Sequence, residues 1–525
     1  MKTRSRLAAA VLLALLPALA MPSVALACTT VIVGRNVSAD GSRIISRNVD
    51  SHGLSPFREV SFPAQQRESD WTYTDAYNGF TCTLPASSYQ FVATPHFVQT
   101  GDGDEYEAAI NERHVCISAT ETIHANEAAL AADPVVKNGI AESNIPTIVI
   151  PYVSSAREGV ERLGALVEQY GSAEGSGVVF ADDTETWYIE IYCGHQWAAV
   201  RIPDDSYAVI ANDGLIGTVD VNDTENVIVS DGLVSCAKES GFYKERNGQI
   251  DTTATYCRAK CDFSQIRVWG GHHVFSGSQT GDYDVSQTYS MLMTPDEKIS
   301  LEDVMEFMRY RYEGTKYDAN EHPEVRPVGV ASTSQSHVLW LRDGKPQILW
   351  ECLSNPEMGV YVPSYGNVTQ YPDAYTKSTT QADDTTAFWR FRRLATIALQ
   401  GRDTYGKKVR DAWKQLEQEY VAGVDAMDAR YEAAGESGDE AAAIFDELSG
   451  KALAQADDMY ASAFEEFADD VATDKSATTS REAYASLSGN GLPVAAICVA
   501  VAAGVAVAVL VGRWAIGRRR RPKGE

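Results

Sequence analysis

Basic residues are scarce in this chain of 525 residues: 45 Lys and Arg stand against 72 Asp and Glu, for a net charge of −27. An acidic surface repels nucleic acid and anionic lipid headgroups, so no nucleic-acid partner is expected. Cysteine is sparse too, with nine residues. Cys257 and Cys261 are the one close pair, and their three-residue spacing lacks the second pair that a zinc site needs. A disulfide or plain packing accounts for them better, and neither a metal nor an organic cofactor is expected. No internal repeat is found. No spacing among the nine histidines, which include His52, His195, His272, His273 and His337, marks one as a catalytic base. Packed or solvated histidines account for them.

What the chain does have begins with apolar runs near both ends. Lys2, Arg4 and Arg6 precede an apolar stretch from Leu7 to Ala20, and Ala25-Leu26-Ala27 is a small-x-small cleavage site. This reads as an export signal over 1–27, whose removal leaves Cys28 first. Leu492 to Gly512 is uncharged, and as a helix it would span about 30 Å, the thickness of a bilayer core. Arg513, Arg518, Arg519, Arg520, Arg521 and Lys523 follow, which places the 513–525 tail in the cytoplasm. The expected topology is a cell-membrane protein with one transmembrane helix and an extracellular body. Setting aside +3 in the leader and +5 in the span and tail leaves that body, 28–490, at −35.

Within the body, short β-rich runs recur at Thr29–Val33, Arg43–Ser46, Val178–Ala181, Trp187–Tyr192, Ala198–Ile202 and Tyr207–Ala211. Others follow at His337–Leu341, Gln347–Trp350 and Gly359–Val362. Gly, Asp and Pro turns separate them. Ser155–Tyr170 places Val160, Leu163, Val167 and Tyr170 on one helical face. This mixture predicts an α+β sandwich of layered sheets and helices. From about Thr385 the pattern turns to long helices. Residues 421–475 carry 15 acidic residues against three basic ones, with spaced aromatics, and fit either a solvated stalk or an outer helical layer. The expected division is 28–400 as the catalytic body, 401–475 as an acidic helical extension, and 476–491 as a linker.

A cysteine at the head of a mature chain offers a nucleophilic thiol and an α-amine whose pKa of about 7.7–8.0 suits a base near neutral pH. One residue can then attack an amide carbonyl and manage the proton. The strand Thr29–Val33, an Asp40-Gly41 turn and a returning strand bring Arg47 and Asp50 back toward Cys28. A tight turn would pair Asp50 with Val31, and a wider one would pair it with Cys28. Arg47 near the thiol favours thiolate, and Asp50 near the amine can orient it. The bland alternative is an Arg47–Asp50 ion pair on an exposed strand. A lipoprotein cysteine fits less well: the lipid signal wants Leu where Ala25 stands, and lipidation would duplicate the C-terminal anchor.

The run Cys28-Thr-Thr-Val-Ile-Val-Gly-Arg, with Asp40-Gly-Ser and Ser46-Arg-Asn-Val-Asp50, resembles the start of the dipeptidase A family. These are cysteine peptidases of the N-terminal nucleophile superfamily, related to penicillin V acylase and conjugated bile acid hydrolase. Similar blocks follow in the family's order at Ile110-Asn-Glu112, Ser118–Thr122, Ile145-Pro146, Ser154–Arg162, Arg267-Val-Trp269, Arg311–Thr315, Ser336-His-Val338 and Gly359–Pro363. The resemblance covers Cys28 to about residue 400. It implies a four-layer αββα fold and a dipeptide or small amide substrate. It also implies an oxyanion-binding Asn212 and a supporting Arg267. Asn212 lies in Asn212-Asp213-Gly214 and reads equally well as a turn residue, and Arg267 beside Trp269 reads equally well as a packed structural arginine. The family's second oxyanion asparagine has no match here, where Thr120-Glu121 stands nearest. Val49 replaces the usual acidic residue before Asp50. Two competing readings are an amidase acting on N-acyl amides and a catalytically silent surface-binding protein.

Overall fold

The structure is a computed structural model that describes residues 28–473, apart from 51–54, Tyr77 and 98–103. The leader, the linker, the 492–512 span, the basic tail, His52 and Cys498 lie outside the described residues. Among the described residues, no helix is long and apolar enough to cross a membrane.

Two antiparallel sheets form the centre. In the seven-stranded sheet, β1 (Thr29–Val33) lies between Tyr207–Ile210 and β2 (Arg43–Asp50). Beyond β2 come Thr333–Leu341, Ile348–Cys352 and Val362–Tyr365. The eight-stranded sheet has Thr186–Ile191, Ser176–Ala181, Cys116–Glu121 and Asp104–Asn111 at its middle. Side chains alternate across each strand, so each sheet has two faces to cover. Ile32, Ile45 and Ala208 share a core with Ile110, Cys116, Val179 and Tyr188 of the other sheet, which joins the two face to face. The far face of the eight-stranded sheet packs on Ile145, Ile148, Val160, Leu163 and Val167 of two helices. The far face of the seven-stranded sheet packs under Ile266, Trp269, Val304 and Met308 of two others. The expected α+β class is therefore present, with helical layers outside both sheets.

Local chemistry explains the elements. The helix Ala156–Tyr170 starts where the Ser155 hydroxyl accepts the Glu158 N–H. It stops at Gly171, whose φ of +77° suits glycine. The helix Asp262–Phe275 carries Gly270 and Gly271 in its interior, which weakens a helix by about 1 kcal/mol each. Their reason is close approach. A Cβ on Gly271 would come within 2.3 Å of Val209, and one on Gly270 within 2.7 Å of the Tyr312 ring. The missing side chains let this helix lie directly on the strand Tyr207–Ile210, within reach of Cys28.

The β1–β2 connection corrects the sequence reading. The strands are joined by a loop over 34–42 in which Asp40 accepts hydrogen bonds from Ser38 and Ser42. Thr29 pairs with Asn48 and Thr30 with Arg47, so Val49 falls opposite Cys28 by extension and Asp50 one residue further. Neither expected pairing of Asp50 occurs, because the Asp40–Ser38 loop centres the turn between Ser38 and Ala39, just before both positions considered. The acidic C-terminal helices form an outer layer. In Tyr405–Ala422, Glu417 pairs with Arg309; in Val424–Ala433, Asp428 pairs with Arg342; in Gly438–Thr473, Phe445 and Phe467 are buried. That layer rules out a free stalk over these residues.

Candidate active site

Cys28 stands at the start of β1 and is buried, and the other four sequence-predicted residues gather around it. Arg47 approaches from the face of the sheet that meets the eight-stranded sheet. It is fully buried. Its guanidinium donates to the Ala119 carbonyl, to the Glu107 carbonyl at 3.2 Å and to the Glu107 carboxylate, and it reaches Glu142 Oε1 at 3.3 Å. Glu107 lies 3.4 Å from His96 Nε2. Such a buried charge requires partners, and here it has two carboxylates.

Arg267 approaches from the opposite face, off its helix. Its Nη1 donates to the Cys28 carbonyl at 2.6 Å and to Thr29 Oγ1 at 2.9 Å, its Nη2 to Asn212 Oδ1 at 2.6 Å, and its Nε to the Phe263 carbonyl at 2.9 Å. Asn212 is fully buried just past the strand Tyr207–Ile210, and extending the pairing of Thr30 with Ile210 sets it opposite Cys28. With Oδ1 committed to Arg267, the amide is fixed with its Nδ2 end turned the other way. Asp50 follows a bulge between Val49 and Asp50. Its carboxylate accepts from Thr333 Oγ1 and Arg326, and it is not paired with Arg47. The exposed Arg47–Asp50 pair is thus overturned: both groups are buried and each has a different partner.

Electrostatics divide the neighbours of Cys28. Burial pushes the thiol above its ordinary value, Arg47 pulls it back down, Asp50 and Glu107 push it up, and the Thr120 hydroxyl lowers it. Burial disfavours the Glu107 anion, yet Arg47 and His96 hold its carboxyl down to about 2. Glu142 moves the other way: burial and the Glu107 charge push it well above the usual carboxylate range against the pull of Arg47. Burial and the nearby Arg326 lower Arg267 to about 10.

The model for Peptidase family C69 matches residues 27–415. The chain belongs to that family. It is a cysteine-type peptidase. Among its relatives is the "Probable dipeptidase" of Salmonella dublin, 38% identical over 361 residues, which covers 66% of this chain and 82% of that protein. A "Probable dipeptidase" of Latilactobacillus sakei is 34% identical over 408 residues, 75% of this chain and 84% of that one. A solved structure, a mutant conjugated bile acid hydrolase from Clostridium perfringens, aligns at 11% identity and a TM-score of 0.29 over 62% of this chain and 88% of that chain.

The described histidines take other roles in this cysteine peptidase. His337 is fully buried opposite Arg47, its Nε2 lies 3.0 Å from Ser118 Oγ, and burial and Arg47 push its pKa well down. His272 packs against Tyr207, and burial lowers it to about 4. His195 pairs with Asp133, and His273 stacks on Trp269. Cys257 sits in a small apolar cluster with Tyr192 and Tyr256, so packing is its role. Sequence reasoning missed Glu107, Glu142, Arg326 and Thr333. Only Glu107 had a usable signal, as an acid in an apolar run, Ala108-Ala109-Ile110, that reads as a buried strand.

Proposed function

We propose that this peptidase is a membrane-anchored extracellular dipeptidase whose nucleophile is Cys28, freed at the N-terminus when residues 1–27 are removed. The meeting of Cys28, Arg47, Asp50, Asn212 and Arg267 at one end of the seven-stranded sheet carries this reading. Two relatives named as probable dipeptidases support the substrate class. Residues 492–512 supply the anchor, with the 513–525 tail in the cytoplasm.

In the cycle, Arg47 favours the Cys28 thiolate, which attacks the scissile carbonyl of a dipeptide. The Asn212 amide, oriented by Arg267, donates to the oxyanion together with backbone N–H groups. Asp50, beside the chain start, orients the α-amine of Cys28, which protonates the departing amino acid. Water then hydrolyses the thioester, with the same amine as base.

Steady-state kinetics on free dipeptides and on N-acyl amino acids, with wild type and Cys28→Ser, test the reading. It requires dipeptide hydrolysis that collapses in the variant. Preferred cleavage of the N-acyl substrates would make the enzyme an amidase, and undiminished hydrolysis by Cys28→Ser would remove Cys28 as nucleophile.

A further inference from the structure

The dipeptidase reading leaves open how the enzyme recognises a substrate with a free α-amine, and the cluster around Arg47 supplies a candidate. Three carboxylates lie near Cys28. Asp50 and Glu107 have side chains only 4% exposed, and each is closely engaged by an arginine. Glu142 differs. Its side chain is 20% exposed, and its contact with Arg47 is the longest of the three, at 3.3 Å. It enters on a short turn, Glu142–Asn144, that leads into the helix Ile145–Val149. The turn is pinned because the Glu142 backbone N–H donates to the Glu174 carboxylate at 2.7 Å. Asn144 Oδ1 also accepts the Ala141 N–H at 3.2 Å. The Glu142 carboxyl is therefore the outermost acid of the cluster, on a fixed backbone and close enough to Cys28 for a charge on the thiol to act on it.

We propose that Glu142 is the specificity residue that receives the α-ammonium group of a dipeptide, a role that rests on the dipeptidase reading and deepens it. The ammonium of a bound dipeptide is carried on the α-carbon next to the attacked carbonyl, so its receptor must sit beside the nucleophile, where Glu142 stands. Among the described residues, the groups facing Glu142 include Arg47 from β2, Glu107 from the strand Asp104–Asn111 and the Cys28 thiol, with Glu174 at its backbone N–H. Glu142 shares Arg47 and a side-chain hydrogen bond with Glu107, and of the three acids it is the one whose side chain an arriving cation can reach from solvent. In the empty site burial, and then the neighbouring Glu107 charge, favour protonated Glu142. Binding an ammonium group then favours the carboxylate and releases a proton to solvent.

The test compares Ala-Xaa dipeptides with their propionyl-Xaa counterparts, which differ only by the ammonium group, in the full processed enzyme. Wild type should prefer the dipeptide in kcat/KM. Glu142→Gln should reduce that preference at least tenfold, mainly through a higher KM for the dipeptide. Glu142→Asp should keep part of it. Calorimetry in two buffers of different ionisation enthalpy, with a dipeptide analogue whose scissile amide is reduced, should show proton release for wild type and none for Glu142→Gln. An unchanged dipeptide-to-propionyl ratio in Glu142→Gln, whatever the absolute rates, overturns the assignment. A wild-type enzyme that favours propionyl substrates overturns the dipeptidase reading itself, an outcome separate from any result with the variants.

Discussion

Two fully buried arginines reach Cys28 from opposite faces of one sheet, and they are held in different ways. Arg47 is held by the ionised carboxylate of Glu107 and, at longer range, by the carboxyl of Glu142. Arg267 is held by neutral oxygens, those of Cys28, Thr29, Asn212 and Phe263. The first arrangement fixes a field at the thiol: Arg47 keeps its positive charge, and its strongest partner stays ionised. The second fixes geometry, since one guanidinium holds the nucleophile's carbonyl and the amide of Asn212 together. One sheet face therefore sets the reactivity of the sulfur, and the other sets where the reacting atoms lie. The comparison also explains why Arg267 needs a helix that lies close on its strand, while Arg47 needs only the gap between two sheets.

The division can be attacked from the largest effect downward. Cys28→Ala should lower kcat by about 10⁴-fold or more, since removing a nucleophile removes the covalent route altogether. Steady-state kinetics with active-site titration would measure it. Arg47→Met leaves the ionised Glu107 buried without its cation, and breaking a buried pair costs about 3–5 kcal/mol. Denaturant unfolding should register that loss. The pH dependence of alkylation should show the Cys28 thiol titrating higher than in wild type, since the lowering influence of Arg47 is gone. Arg267→Met should lower kcat while leaving the alkylation midpoint close to that of wild type, and an equal shift in both variants would erase the distinction between the two faces.

Asn212→Ala should lower kcat by about 10²-fold with little change in KM, the mark of a donor used in the transition state. The smallest effect concerns Glu190, which supports the loop after Asn212 by accepting the Leu215 N–H at 2.6 Å. Burial raises its carboxyl to about 7, partly offset by the Leu215 and Ile216 N–H groups. The folded state then holds a proton that the unfolded chain gives up near the ordinary carboxylate value. Stability contributed in acid should fall as pH rises from about 4.5 to about 7. Glu190→Gln should flatten the thermal-denaturation profile over that window.

How much of this was legible in the sequence depended on the range of the interaction. The limits of β1 and the helix at Ser155–Tyr170 followed from a local β-rich run and from apolar residues on one helical face. The approach of Arg47 and Asp50 to Cys28 followed from a hairpin. Its register did not, because Asp40 turns its carboxylate inward to bond Ser38 and Ser42 and widens the loop. The carboxylates that hold Arg47 lie 60 and 95 residues away, and the arginine that holds Asp50 lies 276 residues away, so no local pattern could join them. The acidic helices beyond residue 401 left stalk and layer equally open, since both keep aromatics on one face. Packing of Trp413, Phe445 and Phe467 decided for the layer.

The central claim is that sulfur and a free α-amine share one residue beside Arg47 and Asp50. N-terminal sequencing and intact mass of the purified active protein, before and after alkylation at neutral pH, address it most directly. The account predicts a chain that begins at Cys28 with an unmodified amine and loses activity in step with a single alkylation there. A fully active chain that begins at any other residue, or carries an acyl group on Cys28, would contradict it.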